Sequence, residues 1–394
     1  MIISGTGCAL ADFLYTKMDF SSNVFKKYMS KSPGDGGLSP GKLVFTSEFE
    51  EFAGKKFDKI LKEVSNGVQA DRFNVGGPSL VALIHAAQLL TGELAMVKYF
   101  GYLGNDDTGK KILKVVENLP VDISGYKMVE SSTPFTDVFS DPDYDHGVGE
   151  RIFVNNIGAA GKYSPKNLGA DFFDADITVF GGTALVPPIH DSLSGLLKQA
   201  KSSQSFTIVN TVYDFRNESK DPQGRWPMGD GDMSYSLIDL LITDREEAFR
   251  LSGTVLIKDA LQFFVDKGVK AVIITQGHDP VCLFVDKRFY QELENDSMPI
   301  SDYVANQLKS GVNKGDTTGC GDNFVGGVIA SLAMQMMGGC EKPDLTEAAI
   351  WGIASGGAAC FYTGGTFVES RSGEKYATIA EIVEKYKNQL NSGK

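Results

Sequence analysis

The chain has 394 residues, of which 42% are hydrophobic and 22% charged, as in soluble globular proteins large enough for an α/β domain with an appendage. The net charge of −12 argues against a nucleic acid or an anionic membrane as partner. The five cysteines form no Cys-x-x-Cys pair, which indicates a reducing compartment and no structural zinc. No apolar run reaches the roughly 18 residues of a membrane span. The first residues lack the basic region of a signal peptide, so we expect a cytoplasmic protein.

The chain begins with a predicted short strand over residues 1–14 that runs into a glycine turn. Gly5 and Gly7 begin a dinucleotide-binding pattern, but Leu10 stands where its third glycine belongs. The one acidic residue of this segment is Asp12, at the end of the strand. An aspartate here is equally suited to a turn or a cap.

Residues 16–72 are too long for an ordinary connection between core elements. They contain a Pro/Gly-rich loop at 31–41, a short strand at 42–45 and helical spacing over 49–64. Insertions of this length are usually functional or disordered. Residues 126–156 alternate like antiparallel strands. We therefore predict that parts of both segments form a separate small sheet.

The remainder of the chain predicts a larger sheet. Gly76 and Gly77 precede a helix predicted over 79–90, where a plain strand–helix turn is the simplest interpretation. From residue 171 strands and helices alternate, which argues for a mainly parallel sheet with helices on both faces. The predicted strands there are 176–180, 206–212, 237–243, 271–275 and 281–285.

Two acidic positions follow this pattern at helix starts. Asp244 and Glu247 have the form of a capping box, and their carboxylates would also suit a hydrated Mg²⁺. Asp322 lies in the first turn of a helix whose apolar residues form a wide face over 324–337. The glycines before it allow close backbone approach to a phosphate, and the acid could take a proton from an attacking hydroxyl. Its alternative role is to complement the helix dipole.

The run Asp316-Thr-Thr-Gly-Cys-Gly-Asp-Asn-Phe324 closely resembles the carboxy-terminal signature of the PfkB, or ribokinase-like, kinases, usually Asp-Thr-x-Gly-Ala-Gly-Asp-x-Phe. Other blocks resemble the family in the same order along the chain. The resemblance implies a ribokinase-like α/β fold, with a mainly parallel central sheet, helices on both faces and a small β-sheet lid. By this resemblance the core with the ATP site comprises residues 1–15, 73–125 and 157–394, and the lid with its insertion comprises 16–72 and 126–156.

The resemblance also implies roles for individual residues. Asp322 would be the catalytic base, and the amides around Gly319, Cys320 and Gly321 would form the anion hole. Implied substrate contacts are Asp12, Gly76, Gly77 and Arg151. Implied ATP-side residues are Thr275, Gly277, Thr318, Asp244 and Glu247, the last two holding Mg²⁺ through water. The chain departs from the family at one position that usually contacts the sugar. The family commonly has Asn four residues after the second glycine, where this chain has Val81.

The function implied is ATP-dependent phosphorylation of a hydroxyl group on a small sugar or sugar derivative. ATP and Mg²⁺ are the implied cofactors, and the family leaves room for a monovalent cation such as K⁺ and for a homodimer through the lid. A nucleoside kinase of the same superfamily is the first alternative, which the large lid and Val81 fit. A non-catalytic ligand-binding relative is the alternative from another class.

Overall fold

The computed structural model describes residues 1–32, 34–147, 149–311 and 315–392. The strands in these residues are β1 (Ile2–Gly7), β2 (Leu10–Tyr15), β3 (Leu43–Phe45), β4 (Arg72–Gly76), β5 (Met96–Gly104), β6 (Asp122–Val129), β7 (Phe135–Asp141), β8 (Glu150–Asn156), β9 (Ile177–Gly181), β10 (Phe206–Asn210), β11 (Leu240–Asp244), β12 (Ala271–Gln276), β13 (Asp279–Val285) and β14 (Ser297–Met298).

The α-helices in the same residues are α1 (Asn23–Lys26), α2 (Thr46–Ala53), α3 (Phe57–Val64), α4 (Pro78–Leu89), α5 (Asp107–Val116), α6 (Tyr144–Gly147), α7 (Ala170–Phe173), α8 (Pro187–His190), α9 (Leu193–Ser202), α10 (Phe215–Lys220), α11 (Arg245–Ser252), α12 (Ile257–Asp266), α13 (Asp302–Ser310), α14 (Cys320–Met337), α15 (Leu345–Ala359) and α16 (Glu374–Ser392). Short 3₁₀ turns cover Gly158–Lys162, Pro165–Asn167, Thr183–Leu185 and Asp232–Leu237. None of the helices described is long and apolar enough to cross a membrane.

The large sheet has the strand order β14-β13-β12-β11-β10-β9-β1-β5-β6. The pairings from β12 through to β6 are parallel, and only β13 and β14 join antiparallel at one edge of the described sheet. The predicted mainly parallel sheet is therefore confirmed. Strand β9 is buried throughout its length, as expected where helices cover both faces. The parallel strands bring their carboxyl ends to a common edge, where open α/β sheets bind ligands.

The smaller sheet has the order β3-β8-β7-β2-β4 and forms the predicted lid. Its boundaries differ from the expected ones in three places. Strand β4 lies in the lid, although residues 73–125 were predicted as core. Strand β2 lies in the lid, although residues 1–15 were predicted as core, because the chain leaves the large sheet after Gly7. Residues 126–129 were predicted as lid, but they belong to β6 at the far edge of the large sheet, where Tyr126 is buried against Tyr99 with ring centroids 4.9 Å apart.

The outer side of the lid is covered by the insertion. A cluster of aromatic and aliphatic residues from α1, α2, α3 and the lid strands is buried there, including Phe25, Phe49 and Phe139. The helical spacing over residues 49–64 corresponds to two helices and not one. Gly54 ends α2 in the left-handed conformation, with φ +60°, so the chain turns before α3 begins.

Helix α14 lies in the main core between α4 and α15. It extends to Met337 as its apolar rows predict, and it begins at Cys320, so the signature glycines shape its first turn. A Cβ on Gly326 would lie 2.6 Å from the carbonyl oxygen of Ala82 on α4. Helices α14 and α4 can therefore approach closely because α14 has a glycine at this contact. The packing against α4 positions α14 in the core.

Candidate active site

The signature loop closes against a second glycine turn. Gly319 is the N-cap of α14 with φ +73°, and a Cβ on it would overlap Gly365. A side chain at position 319 is thus excluded by both backbone conformation and packing. Around Gly321, by contrast, a Cβ would meet open space, so nothing described here blocks access to its backbone. The first N–H groups of a helix have no partner within the helix, which leaves them available to an anion.

The Asp322 side chain lies in this first turn and is half-buried, not enclosed in the interior. The loss of water around its carboxyl raises the pKa from 3.8 to about 6. At neutral pH the group is still largely ionised, so it is a stronger base than an exposed aspartate and remains free to accept a proton.

Asp12 on lid strand β2 is a second acidic residue whose pKa is raised. Burial, and then the negative charges of Asp322 and Asp316, raise the pKa of Asp12 from 3.8 to about 8. Asp12 is the register partner of Asn74 in the lid. A Cβ on Gly364, whose N–H donates to Asp316 Oδ1 at 3.3 Å, would overlap the Asn74 amide, so this part of the lid faces the signature loop.

The two predicted glycines, Gly76 and Gly77, pack against the lid entry. A Cβ on Gly76 would overlap the Asp12 carboxylate, and Gly77 has φ +97° with a Cβ position 2.6 Å from the Cα of Ala9. Both positions are therefore restricted to glycine by packing. Val81 of α4 lies beside the other glycine turn, because a Cβ on Gly365 would lie 3.3 Å from its side chain. The family's polar position is occupied here by an apolar contact to the loop.

Four polar residues form a row across the inner face of the lid. Residues that are paired in register on neighbouring strands have their side chains on the same face of a sheet. The members of this polar row are Asn74, Asp12, Thr136 and Asn155, from four neighbouring strands. Asn155 Nδ2 donates to Thr136 Oγ1 at 2.9 Å, and both side chains are buried. Asn74 Nδ2 reaches the carbonyl oxygen of Thr363 at 3.4 Å.

Sequence reasoning selected only Asp12 of the polar row. The other three occupy polar positions within predicted strands, an alternation that the sequence displays but that specifies no partner. Only the register between strands aligns them. The signal that could have found Asn74 is its position between two apolar residues, Phe73 and Val75, directly before the glycine turn.

Arg151 lies on the same inner face, on β8, and joins the lid to the signature loop. Its guanidinium donates to Thr317 Oγ1 at 2.9 Å and to Thr318 Oγ1 at 3.3 Å. The Asp316 carboxylate in turn accepts from the backbone N–H of Thr318 at 2.8 Å and orders the loop. Arg151 and Thr318, predicted for substrate and for ATP respectively, are thus direct neighbours.

A second acidic group lies at the carboxyl edge of the large sheet. Asp244 caps α11 and accepts from the N–H of Glu247 at 2.8 Å, so the predicted capping box is present. Burial, then the charge of Asp244, raises the pKa of Glu247 to about 8. Glu247 is buried and accepts from Thr211, whereas Asp244 faces solvent. Capping leaves carboxylate oxygen available for a hydrated cation, so both roles are compatible.

The predicted ATP-side residues Thr275 and Gly277 lie next to this pair. Thr275 is the register partner of Asp244 across β11 and β12. Gly277 forms the exposed turn between β12 and β13, with φ +65°. The structure therefore brings together two groups: Asp244, Glu247, Thr275 and Gly277 along one edge, and the lid and signature residues at the glycine loop.

A buried polar chain supports the signature loop from behind. Asn323 Nδ2 donates to the carbonyl oxygens of Gly319 and Gly365, each at 2.8 Å. Its Oδ1 accepts from Tyr362 Oη at 2.9 Å, and Lys375 Nζ donates to Tyr362 Oη at 2.7 Å. Burial lowers the pKa of Lys375 to about 7. Sequence reasoning missed this chain because its members come from separate elements.

Comparison with known proteins agrees with this arrangement. The sequence profile described as pfkB family carbohydrate kinase matches residues 50–371 of the chain. This range contains the glycine turn, Arg151, the Asp244–Glu247 pair and the signature loop. It begins after β2, so Asp12 lies outside it.

Solved structures with the same fold share little sequence with the chain. Adenosine kinase from Schistosoma mansoni, in complex with 2-fluoroadenosine, has a TM-score of 0.66 at 18% identity and covers 93% of this chain and 97% of its own. Ribokinase from Arabidopsis thaliana, complexed with ribose and ATP, has a TM-score of 0.61 at 18% identity, covering 97% and 98%. A protein from E. coli assigned as a ribokinase II, in complex with ATP and Mg²⁺, has a TM-score of 0.63 at 18% identity, covering 96% and 99%.

Proposed function

Because the chain belongs to the pfkB family of carbohydrate kinases, we propose that it transfers the γ-phosphate of ATP to a hydroxyl group of a small sugar or sugar derivative, with Asp322 as the general base. Family membership makes the chain a phosphotransferase with an alcohol group as acceptor, and sugars and nucleosides are the acceptor classes in question. The observation that carries the finer proposal is the contact of the lid with the signature loop that leads to Asp322, where Arg151 donates to Thr317 Oγ1 at 2.9 Å and to Thr318 Oγ1 at 3.3 Å.

In this proposal Asp322 accepts the proton of the acceptor hydroxyl as its oxygen attacks the γ-phosphate. A pKa of about 6 supports this role, since the carboxylate is ionised near neutral pH yet basic enough to bind a proton during the reaction. The backbone amides around Gly319, Cys320 and Gly321 would hold the charge that develops on the transferring group. Arg151 would add its positive charge from the lid side.

The polar row supports a substrate with several hydroxyl groups. Asp12, Thr136 and the amide side chains beside them offer both donors and acceptors on one face. A sugar hydroxyl needs such partners when it is removed from water, because unpaired polar groups in a closed site are costly. Asp12 would hold a hydroxyl of the sugar while Asp322 acts on the one that reacts.

The pair Asp244 and Glu247 fits a hydrated Mg²⁺. Magnesium prefers oxygen ligands and retains several waters, so two carboxylates at one sheet edge are sufficient protein partners. Bound magnesium would neutralise charge on the phosphates. A nearby cation would also favour the ionised form of Glu247, whose pKa burial now raises. Thr275 and Gly277 line the same edge and would border the nucleotide.

A nucleoside acceptor is the second candidate, and one residue favours it. Phe153 lies on the inner face of the lid between Arg151 and Asn155 along β8, and its ring is half-buried. A planar base could stack on such a ring while the polar row contacts the ribose. The sugar proposal and the nucleoside proposal thus share Asp322 and differ in what occupies the space at Phe153.

The test is a panel of sugars and nucleosides with ATP and Mg²⁺, measured by ADP release, followed by Asp322→Asn on the best substrate. We expect kcat to fall by at least about 10³-fold, because the base and its charge are both lost. The matched control is Asp107→Asn, another acid in a first helical turn but exposed on α5. Near-normal turnover of Asp322→Asn would overturn the base assignment. Calorimetry without Mg-ATP binding would favour the non-catalytic relative.

A further inference from the structure

Two cysteine side chains meet at the start of the signature helix. The Sγ atoms of Cys320 and Cys360 are 3.2 Å apart, and both residues are half-buried. Cys320 is the first residue of α14, between Gly319 and Gly321, and Cys360 is the C-cap of α15. The pair therefore joins the end of one core helix to the beginning of the helix that carries the proposed anion hole.

We propose that Cys320 and Cys360 are a modification site, at which a small-molecule disulfide oxidises the two thiols to a reversible intramolecular disulfide that lowers phosphotransfer. A disulfide needs its sulfurs about 2 Å apart, so the two atoms must approach by about 1 Å from their present contact. The effect on turnover rests on the proposed function, whereas the formation of the bond does not.

The chemistry of the pair favours Cys360 as the attacking group. A hydrogen bond from the Cys320 thiol lowers the pKa of Cys360, which favours the thiolate form of Cys360. The same contact, burial and the charges of Asp316 and Asp322 raise the pKa of Cys320. Because the thiolate is the attacking form in disulfide exchange, the thiol with the lowered pKa, Cys360, attacks first.

The exchange proceeds in two balanced steps. The Cys360 thiolate attacks one sulfur of the small disulfide, forms a mixed disulfide and expels one thiolate. Cys320 then loses its proton to solvent, its sulfur attacks the sulfur of Cys360, and the second thiolate leaves. Two protein thiols have been oxidised to one disulfide, and the small disulfide has been reduced to two thiols. Excess dithiol reverses both steps.

The consequence for the site follows from the packing of Cys320. Its carbonyl oxygen lies 3.0 Å from where a Cβ on Gly356 would be, so the backbone at Cys320 already touches α15. Drawing the sulfurs together must rotate the Cys320 side chain or shift this first turn. Asp322 lies two residues further on. Because a displacement of about 1 Å in a catalytic group can cost about 10²-fold in rate, we expect oxidation to lower kcat/KM by tenfold or more.

The experiment exposes the full-length protein to oxidised glutathione and then to dithiothreitol. Intact mass and a non-reduced peptide map should show loss of two hydrogens and a Cys320–Cys360 cross-link. With a substrate identified by the panel, activity should fall with the same time course and return on reduction. Cys360→Ser should keep its basal activity and resist inactivation. Cys282→Ser, a half-buried thiol on β13, should remain as sensitive as the unchanged protein.

The peptide map and the rate measurement separate the two hypotheses. A cross-link in a protein that releases no ADP with any substrate would leave the thiol chemistry intact and count against the proposed function. A map without the Cys320–Cys360 peptide pair would overturn the site, as would a Cys360→Ser variant that oxidised glutathione inactivates like the unchanged protein. Should Cys360→Ser fail to fold, Cys360→Ala serves with the same criteria.

Discussion

The guanidinium of Arg151 and the hydroxyl of Thr317 are 2.9 Å apart, a contact between the lid strand β8 and the signature loop. Neutral hydroxyls are weak partners for a guanidinium compared with carboxylate or phosphate oxygens. An anionic group that enters beside the loop would therefore bind Arg151 more strongly than the two threonine hydroxyls do. In the proposed reaction that group is the phosphoryl group in transfer.

This relationship predicts that Arg151→Lys lowers kcat/KM by about 10- to 100-fold, the range expected when charge-assisted hydrogen bonds are lost. Lysine keeps the positive charge but not the planar fork that contacts two oxygens at once. Steady-state kinetics with ATP and the acceptor measure the effect. Arg72→Lys, an exposed arginine on strand β4 of the same sheet, should change nothing. Unaltered kcat/KM for Arg151→Lys would mean that Arg151 serves only lid packing.

The location of Arg151 also shows what a sequence can specify. The signature glycines and Asp322 were identified from local pattern, because the start of a helix is determined by neighbouring residues. The hydrogen bond of Arg151 with Thr317 joins residues 166 positions apart and depends on how the lid docks. No periodicity within either segment encodes that contact, so it emerges only from the fold.

The boundary between core and lid illustrates the same limit. The single strand predicted over residues 1–14 is two strands, β1 and β2, and parts of β2, β4 and β6 belong to the sheet that was not expected. Alternation identifies a strand without naming its neighbour, since pairing is decided by cross-strand packing. Tyr126 joins β6 to the large sheet through its contact with Tyr99. That contact, between residues 27 positions apart, is not visible in either strand alone.

The polar chain behind the loop predicts that Tyr362→Phe destabilises the protein by about 1–3 kcal/mol, the usual cost of leaving buried polar groups unsatisfied. The substitution removes the hydroxyl that accepts from Lys375 and donates to Asn323. Urea unfolding measures the change in the free energy of unfolding. The control is Tyr376→Phe, because Tyr376 is 40% exposed and close to this chain in sequence. Equal stability of the two variants would show that Tyr362 contributes by its ring alone.

The pKa of Asp322 predicts the acidic limb of the pH–rate profile. Only the ionised carboxylate can accept the proton, so kcat/KM should fall by about tenfold for each pH unit below about pH 6. This limb reports the free enzyme, the state to which that pKa refers.

The variant Asp12→Asn identifies the group responsible for this limb. Asp12 has a pKa of about 8 and is still protonated while Asp322 titrates, so a neutral amide in its place leaves the charge near Asp322 unchanged. We expect a lower kcat/KM at every pH with the acidic limb still near pH 6. If the limb instead disappeared in Asp12→Asn, then Asp12 and not Asp322 would be the titrating base, since removing a carboxyl removes only its own titration.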